Sequence, residues 1–427
     1  MYFFSYVHFF ALIAYCFLGA YIMIKNPKER LNQVCAAFIL CLTIWSLQMV
    51  VVQSPYTSLD NAILFMNIGA LGWIGLGYCF GFLYSPTLFR SFSQQKTLNV
   101  YAFTETFSPD AIELFEKQFG VKVNMTYAEL DEEIGAKFSI NGGDGYDVVN
   151  VSDFMVKQLI GGGYLQRLDK SAVPSIQNIN PRLMHQVFDF NNDYSIPHKW
   201  FMYGLIYDKT FFSQKPDEMS LAFVFTDPKV LFAQGLVKAP YRSCMIDSPM
   251  DAYFLSMRYL YSRHDAFFEK DFAAITAALL KQKNSIECYT LYSVEYFLLS
   301  GLVPIALTSS NFVRKIWEMS DKYEFAIPKE GGILVIENLV VPKTSAKGTL
   351  AHQFINFMLS DEIARVNSEE YGWTSANLGV QQAIDTGFEQ GSHLLPDEKI
   401  FTRLHIPLFT PYARKHADNA WLRVGFA

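Results

Sequence analysis

The chain has 427 residues, of which 51% are hydrophobic and 16% aromatic, with a formal net charge of −6, enough apolar material for two or three domains. Residues 1–96 carry Lys25, Lys28, Arg30, Arg90 and Lys96 against Glu29 and Asp60, a net of +3, which leaves −9 on residues 97–427. That acidic balance argues against nucleic acid as a partner and is compatible with a cationic ligand.

Three apolar runs come first: Tyr2 to Ile24, Val34 to Val52 and Ala62 to Tyr84. Each reaches the roughly 20 residues that span a bilayer and is free of acidic and basic side chains, so residues 1–90 are expected to form three transmembrane helices in contact with membrane lipid. The first run lacks a positive n-region and a small-residue cleavage site, and is expected to be retained rather than removed as a secretory signal. The third carries Gly77 and Gly81 in GxxxG spacing, which suits close packing within the bundle. Lys25, Lys28 and Arg30 in the first loop, and Arg90 and Lys96 after the third helix, place the soluble part in the cytoplasm by the positive-inside rule. Residues 91–96, SFSQQK, read as a linker.

Beyond the linker, Leu98 to Phe103 has the apolar, partly β-branched character of a buried strand and runs into Thr104, Glu105 and Thr106. Ser108 is placed to cap a helix, Pro109 suits its first position, and Asp110 and Glu113 complement the dipole. Gly120 permits a left-handed exit into the strand that begins VKV. A helix near Leu130 to Ser139, a turn NGGDG, and a strand Tyr146 to Val151 follow. Ser152 and Asp153 then cap the next helix, whose exit is Gly161 to Gly163. This alternation predicts an α/β fold with a mainly parallel sheet and helices on both faces, ligands sitting at the carboxyl ends of the strands. Further on, Asp247-Ser-Pro-Met-Asp251 opens a helix to about Tyr261, with Ser248 and Asp251 in capping-box spacing.

Several of these segments resemble, in order, the spermidine/putrescine-binding proteins of polyamine ABC importers. They are FTETFSPDAIELFEKQFGVKV, YDVVNVSDFMV, FDFNNDYSIPHKWFMYGLIY, AIPKEGGILVIENLVVP and GTLAHQFINFMLSDEIARVNSEEYGWTSAN, spanning about residues 97–380. The resemblance implies a type II periplasmic-binding-protein fold, two lobes joined by a hinge. Lobe 1 would comprise about 97–203 and 336–375, and lobe 2 about 204–335 and 376–427. It also implies a periplasmic domain that closes on a polyamine, with ABC permease and ATPase subunits as partners and no cofactor. Carried over residue by residue, the ligand contacts are Phe103, Thr104, Glu105, Ser152, Phe154, Asp247, Asp251, Glu337 and Trp373. Thr106, Leu307 and Val335 stand where the family has Tyr, Trp and Trp, which removes stacking surface. Residues 1–90 in turn resemble the N-terminal membrane region of some histidine kinases, on NPxxRLN and hydropathy. The competing expectation is therefore a binding domain that acts as a membrane signalling or interaction module without polyamine.

Catalysis finds no motif: GxxxxGK, HExxH and GxSxG are all missing from the sequence, and no enzyme is expected. No CxxC pair occurs, so no metal site is indicated. Cys244 and Cys288, the two cysteines of the soluble part, allow one disulfide if their thiols meet.

Overall fold

Strand β1, Lys96–Phe103, begins inside the expected linker and ends as predicted at the Thr104 loop. The structure is a computed structural model and describes residues 96–214, 216–263, 268–386, 394, 396–407 and 410–426. The three apolar runs expected to form transmembrane helices lie outside the described residues. Among those described, no helix is long and apolar enough to cross a membrane.

The local grammar of the first βαβ unit is met. Helix α1, Pro109–Phe119, starts with Ser108 Oγ accepting from the Ala111 N–H at 3.1 Å and ends at Gly120 with φ 63°. It leads into β2, Val121–Ala128, which pairs in parallel with β1. Helix α2, Asp131–Asn141, is followed by β3, Val148–Ser152, and by α3, Asp153–Gly161, whose N-cap is Ser152.

The sheet runs β2-β1-β3-β9-β4-β7-β5-β6, where β4 is Ser195–Asp208, β5 Ser243–Met245, β6 Ile286–Tyr289, β7 Ile305–Ser309 and β9 Gly332–Val340. Its centre differs from the mainly parallel sheet expected. The β1/β2, β1/β3, β5/β7 and β5/β6 pairs are parallel, whereas β3/β9, β9/β4 and β4/β7 are antiparallel. The cause is that β4 and β9 are long strands buried along nearly their whole length, without the alternation that marks an antiparallel pair with one wet face. They join a parallel group built from the first part of the chain to one built from the second. The short strands β8, Tyr323–Ala326, and β10, Thr374–Ser375, also pair antiparallel with β4.

Helix α4, Pro249–Tyr261, follows β5, and α5, Gly348–Met358, is followed directly by α6, Asp361–Tyr371. Helix α7, Pro411–Phe426, closes the chain. Packing between α1 and α5 is aromatic: Phe115 meets Phe354 edge-on at 5.1 Å and Phe357 at 5.3 Å. Phe115 is fully buried, a burial that contributes about 2–3 kcal/mol. The start of β4 is pinned by Asp189, whose Oδ2 accepts from the N–H groups of Tyr194 and Ser195 at 2.9 Å and from Ser195 Oγ at 2.8 Å.

Candidate ligand-binding site

The carboxyl ends of β1, β3 and β5 come from both parallel groups, and the loops that leave them carry most of the residues named from sequence. Between them pass β4 and β9. In the β3/β9 ladder Ser152 lies opposite Glu337, and in the β4/β9 ladder Glu337 lies opposite Lys199. The latter register exists because β4 is irregular between Pro197 and Lys199, where one extra residue, His198, is accommodated. A bulge of this kind re-aims the side chains that follow it, and here it sets a lysine across from the acid. Lys199 Nζ is 3.2 Å from Glu337 Oε1, with both side chains more than nine-tenths buried, and 5.7 Å from the centre of the Trp373 ring.

Four carboxylates share this interior. Asp153 accepts from the Ile336 N–H at 2.7 Å, yet burial pushes its acid up to about 8, with Asp131 and Asp251 adding repulsion. Burial likewise pushes Asp131 up to about 7, against its bonds to Ser152 and reinforced by Glu132 and Glu337. Asp251 rises to about 6 by burial, opposed by Ser248 and reinforced by Glu132. Glu337 is raised by burial, with Lys199 acting against it, and its Oε2 has no hydrogen-bond partner. Tyr203, buried in β4, feels three of the four. Its phenol is raised by burial first and then by Asp251, Tyr292, Glu337 and Asp153. A set of like charges, two of them buried and two half-buried, each with its acid raised, is a place where an entering cation relieves repulsion.

The named residues divide into two sets. Asp251 and Glu337 belong to the acidic interior. Glu105 does not: it is exposed, in the left-handed region at φ 58°, a conformation that costs a non-glycine residue roughly 1–3 kcal/mol and is concentrated at functional loops. It shares with Glu337 only an electrostatic influence on Tyr292, which places it at the rim. Its loop is held by Trp373, whose indole N–H donates to Glu105 O at 3.0 Å. Trp373 is itself set by the left-handed Gly372 that ends α6 and by Arg314 Nη1, which donates to Trp373 O at 2.7 Å.

Thr104 is exposed, and Phe103 is half-buried against the core. Ser152 Oγ is occupied as a cap, accepting from Met155 N–H at 3.3 Å. Phe154 faces the Arg414 guanidinium of α7 at 5.1 Å, and that guanidinium also pairs with Glu132. Asp247 is exposed, and its Oδ1 accepts from Trp421 Nε1, also on α7, at 3.2 Å. Two of the expected ligand contacts are thus engaged by the chain's last helix. Of the lost aromatic positions, Thr106 is fully buried and donates to Asn150 Oδ1 at 3.3 Å, and Leu307 is core.

Asp131, Asp153, Lys199, Tyr203 and Arg414 were not singled out from sequence. Asp131 and Asp153 were hidden by helix-start grammar, which explains an acid in a first turn without a ligand. Lys199 had a signal, a lysine inside a β4 whose only other charged residue is Asp208 at its very end, and His198 beside it is no competing cation. Burial and the lysine's charge hold that imidazole down to about 3. No group of three or more metal-ligating side chains occurs among the described residues.

A family model described as bacterial extracellular solute-binding protein matches residues 110–394. A putrescine-binding periplasmic protein SpuD from Pseudomonas aeruginosa is 26% identical over 352 residues, covering 78% of this chain and 92% of its own. A spermidine/putrescine-binding periplasmic protein from Salmonella typhimurium is 25% identical over 316 residues, covering 73% and 86%. Among solved structures, the PotD substrate-binding protein from Streptococcus pneumoniae superposes with a TM-score of 0.65 at 22% identity, covering 78% of this chain and 99% of that one. A putative spermidine/putrescine ABC transporter protein from Listeria monocytogenes gives 0.66 at 25% identity, covering 77% and 99%.

Proposed function

The chain belongs to the bacterial extracellular solute-binding proteins, and from that premise we propose that residues 96–427 bind a small cationic ligand of the polyamine class for transport or sensing. The observation that carries this reading is the convergence of Asp153, Asp251 and Glu337 on Tyr203, with Asp131 bonded to Ser152 beside Asp153. A flexible ammonium ligand is held by charge-assisted hydrogen bonds at its ends and ring faces along its carbons. Those groups come from the segments after β2 and β3 and from β9 on one side, and from α4 after β5 on the other. Binding therefore shuts two lobes about β4 and β9, lobe 1 being about 97–203 with 336–375 and lobe 2 about 204–335 with 376–427. The protein acts as a receptor and performs no catalysis. Its ligand-binding domain faces the periplasm, as the names of its relatives support, tethered by residues 1–90 and serving ABC permease and ATPase subunits.

Calorimetry of the full chain with putrescine and spermidine tests the ligand class. Binding that is lost in Asp251→Asn supports it, and no binding of these amines or of a monoamine such as n-butylamine at millimolar concentration ends it. Alkaline phosphatase fused after Ala427 tests the side of the membrane: active enzyme supports the periplasmic placement, and inactive enzyme supports the cytoplasmic one that the loop charges give.

A second reading, an interaction module that has given up polyamine, is favoured by the two cations the chain itself brings to the site, Lys199 and Arg414. Under it, a membrane partner co-purifies equally with and without amine.

A further inference from the structure

A lysine in the middle of a buried strand needs a carboxylate and a polarisable surface around its ammonium, and in β4 Lys199 has both. Glu337 Oε1 lies 3.2 Å from Nζ and the Trp373 ring centre 5.7 Å away. These are the two kinds of contact that a ligand ammonium would seek at that end of the cleft, and the chain fills them with its own side chain. The pairing is fixed by backbone register, because the His198 bulge puts Lys199 opposite Glu337 on one side and opposite Ser375 of β10 on the other. It is not a mobile surface contact, since Lys199 is 5% exposed.

The opposite end is different. Asp131, Asp153 and Asp251 form no ion pair among the described residues. Asp131 Oδ1 accepts from the Ser152 N–H at 3.3 Å, next to Asp153, whose Oδ2 accepts from the Ile336 N–H beside Glu337 at 2.7 Å, and Asp153 feels repulsion from both other acids. Lys199 pairs with Glu337 and Arg414 with Glu132, and neither forms an ion pair with these three. Glu337 keeps a buried oxygen, Oε2, with no hydrogen-bond partner. The carboxylate is thus only half satisfied by the lysine, as expected where a tethered ammonium stands in for one better able to reach both oxygens.

We propose that Lys199 is a built-in cation that occupies the Glu337–Trp373 end of the cleft, so that the ligand is gripped through one cationic head at Asp131, Asp153 and Asp251. Long polyamines, which bring a second ammonium to the filled end, are excluded. This rests on the cationic-ligand reading above and narrows it to amines whose far end is uncharged or short. A purely structural ion pair would give Lys199 no influence on the ranking of ligands by length.

The test is calorimetry of the purified full chain with n-butylamine, putrescine and spermidine, in wild type, Lys199→Met and the double variant Lys199→Met/Glu337→Gln. Wild type should bind butylamine at least as tightly as spermidine. Lys199→Met, which frees the Glu337 carboxylate, should gain roughly ten- to a hundredfold for spermidine while butylamine changes by less than about threefold. The double variant removes both buried charges together, which cores tolerate better than removal of one, and should lose that gain. Spermidine outranking butylamine in wild type, or an unchanged ranking in Lys199→Met, overturns the proposal and leaves the cationic-ligand reading standing. If Lys199→Met does not fold, the wild-type ranking and the double variant decide. If none of the three amines binds wild type or variant, the cationic-ligand reading falls and this proposal with it.

Discussion

The indole of Trp373 and the main chain of Glu105, 268 positions apart in sequence, are joined by a 3.0 Å hydrogen bond that holds Glu105 in its left-handed conformation. Replacing Trp373 by Phe keeps a ring for Lys199 and removes only the donor. The expected result is a loss of about 1 kcal/mol in denaturant unfolding and weaker amine binding as the loop relaxes. An unchanged affinity would mean that the Glu105 loop takes no part in binding.

Acidity should stabilise this domain. Asp251, Asp131 and Asp153 hold their protons up to about 6, about 7 and about 8 in the folded chain, whereas unfolded they release them near about 3.9. Between those limits the folded state binds more protons, so the stability they contribute is full below pH ~4 and is lost as pH rises through about 6 to 8. Melting temperature should therefore fall from pH 5 to pH 8, within the range where other carboxylates stay ionised. A cation selects the ionised acids, so affinity should rise over the same interval, with protons released. Calorimetry in two buffers of different ionisation enthalpy measures that release, and identical heats in both would contradict it.

Arg414 covers the Phe154 ring and pairs with Glu132, so under the proposed function it competes with an amine for that ring. Because Glu132 is largely exposed, the pair adds little to stability, under about 1 kcal/mol. Arg414→Ala should accordingly leave the melting temperature nearly unchanged and tighten amine binding severalfold. Weaker binding in that variant would instead assign the guanidinium a supporting role in the site.

Cys244 and Cys288 answer the question the sequence left open. They are partners in the parallel β5/β6 register, with sulfurs 2.8 Å apart and both free. Burial raises both thiols, which slows their attack on an oxidant. Incubation with oxidised glutathione should convert the pair to a disulfide over hours, read as a mass loss of two hydrogens that Cys288→Ser prevents. The bond should raise stability by roughly 2–4 kcal/mol. A stable mixed disulfide with glutathione on Cys244 would contradict the pairing.

Local rules carried the sequence reading furthest where a single turn decides the outcome. Ser108, Pro109 and Gly120 fix the ends of α1, and Ser152 and Ser248 cap the helices they precede. The antiparallel centre escaped because β4 and β9 are covered on both faces, and period-two alternation disappears when neither face is wet. Asp251 and Glu337 were named through resemblance, and both act electrostatically on Tyr203. Asp131 and Asp153 were not, since burial from distant segments is what makes them unusual, and nothing adjacent in the chain announces it. Arg414 lies beyond residue 380, where the resemblance read from sequence ended. The pairing of Lys199 depended on an inserted residue whose position only the ladder reveals.

That inserted residue gives the binding preference an origin in backbone length. Shortening β4 by one at position 198 would carry the ammonium to the other side of the pleat and uncover the acid without altering any residue that faces a guest. Among relatives of this chain, a gap or its absence at that point would then separate receptors for short amines from receptors for long ones, a distinction invisible to anyone comparing pocket residues alone.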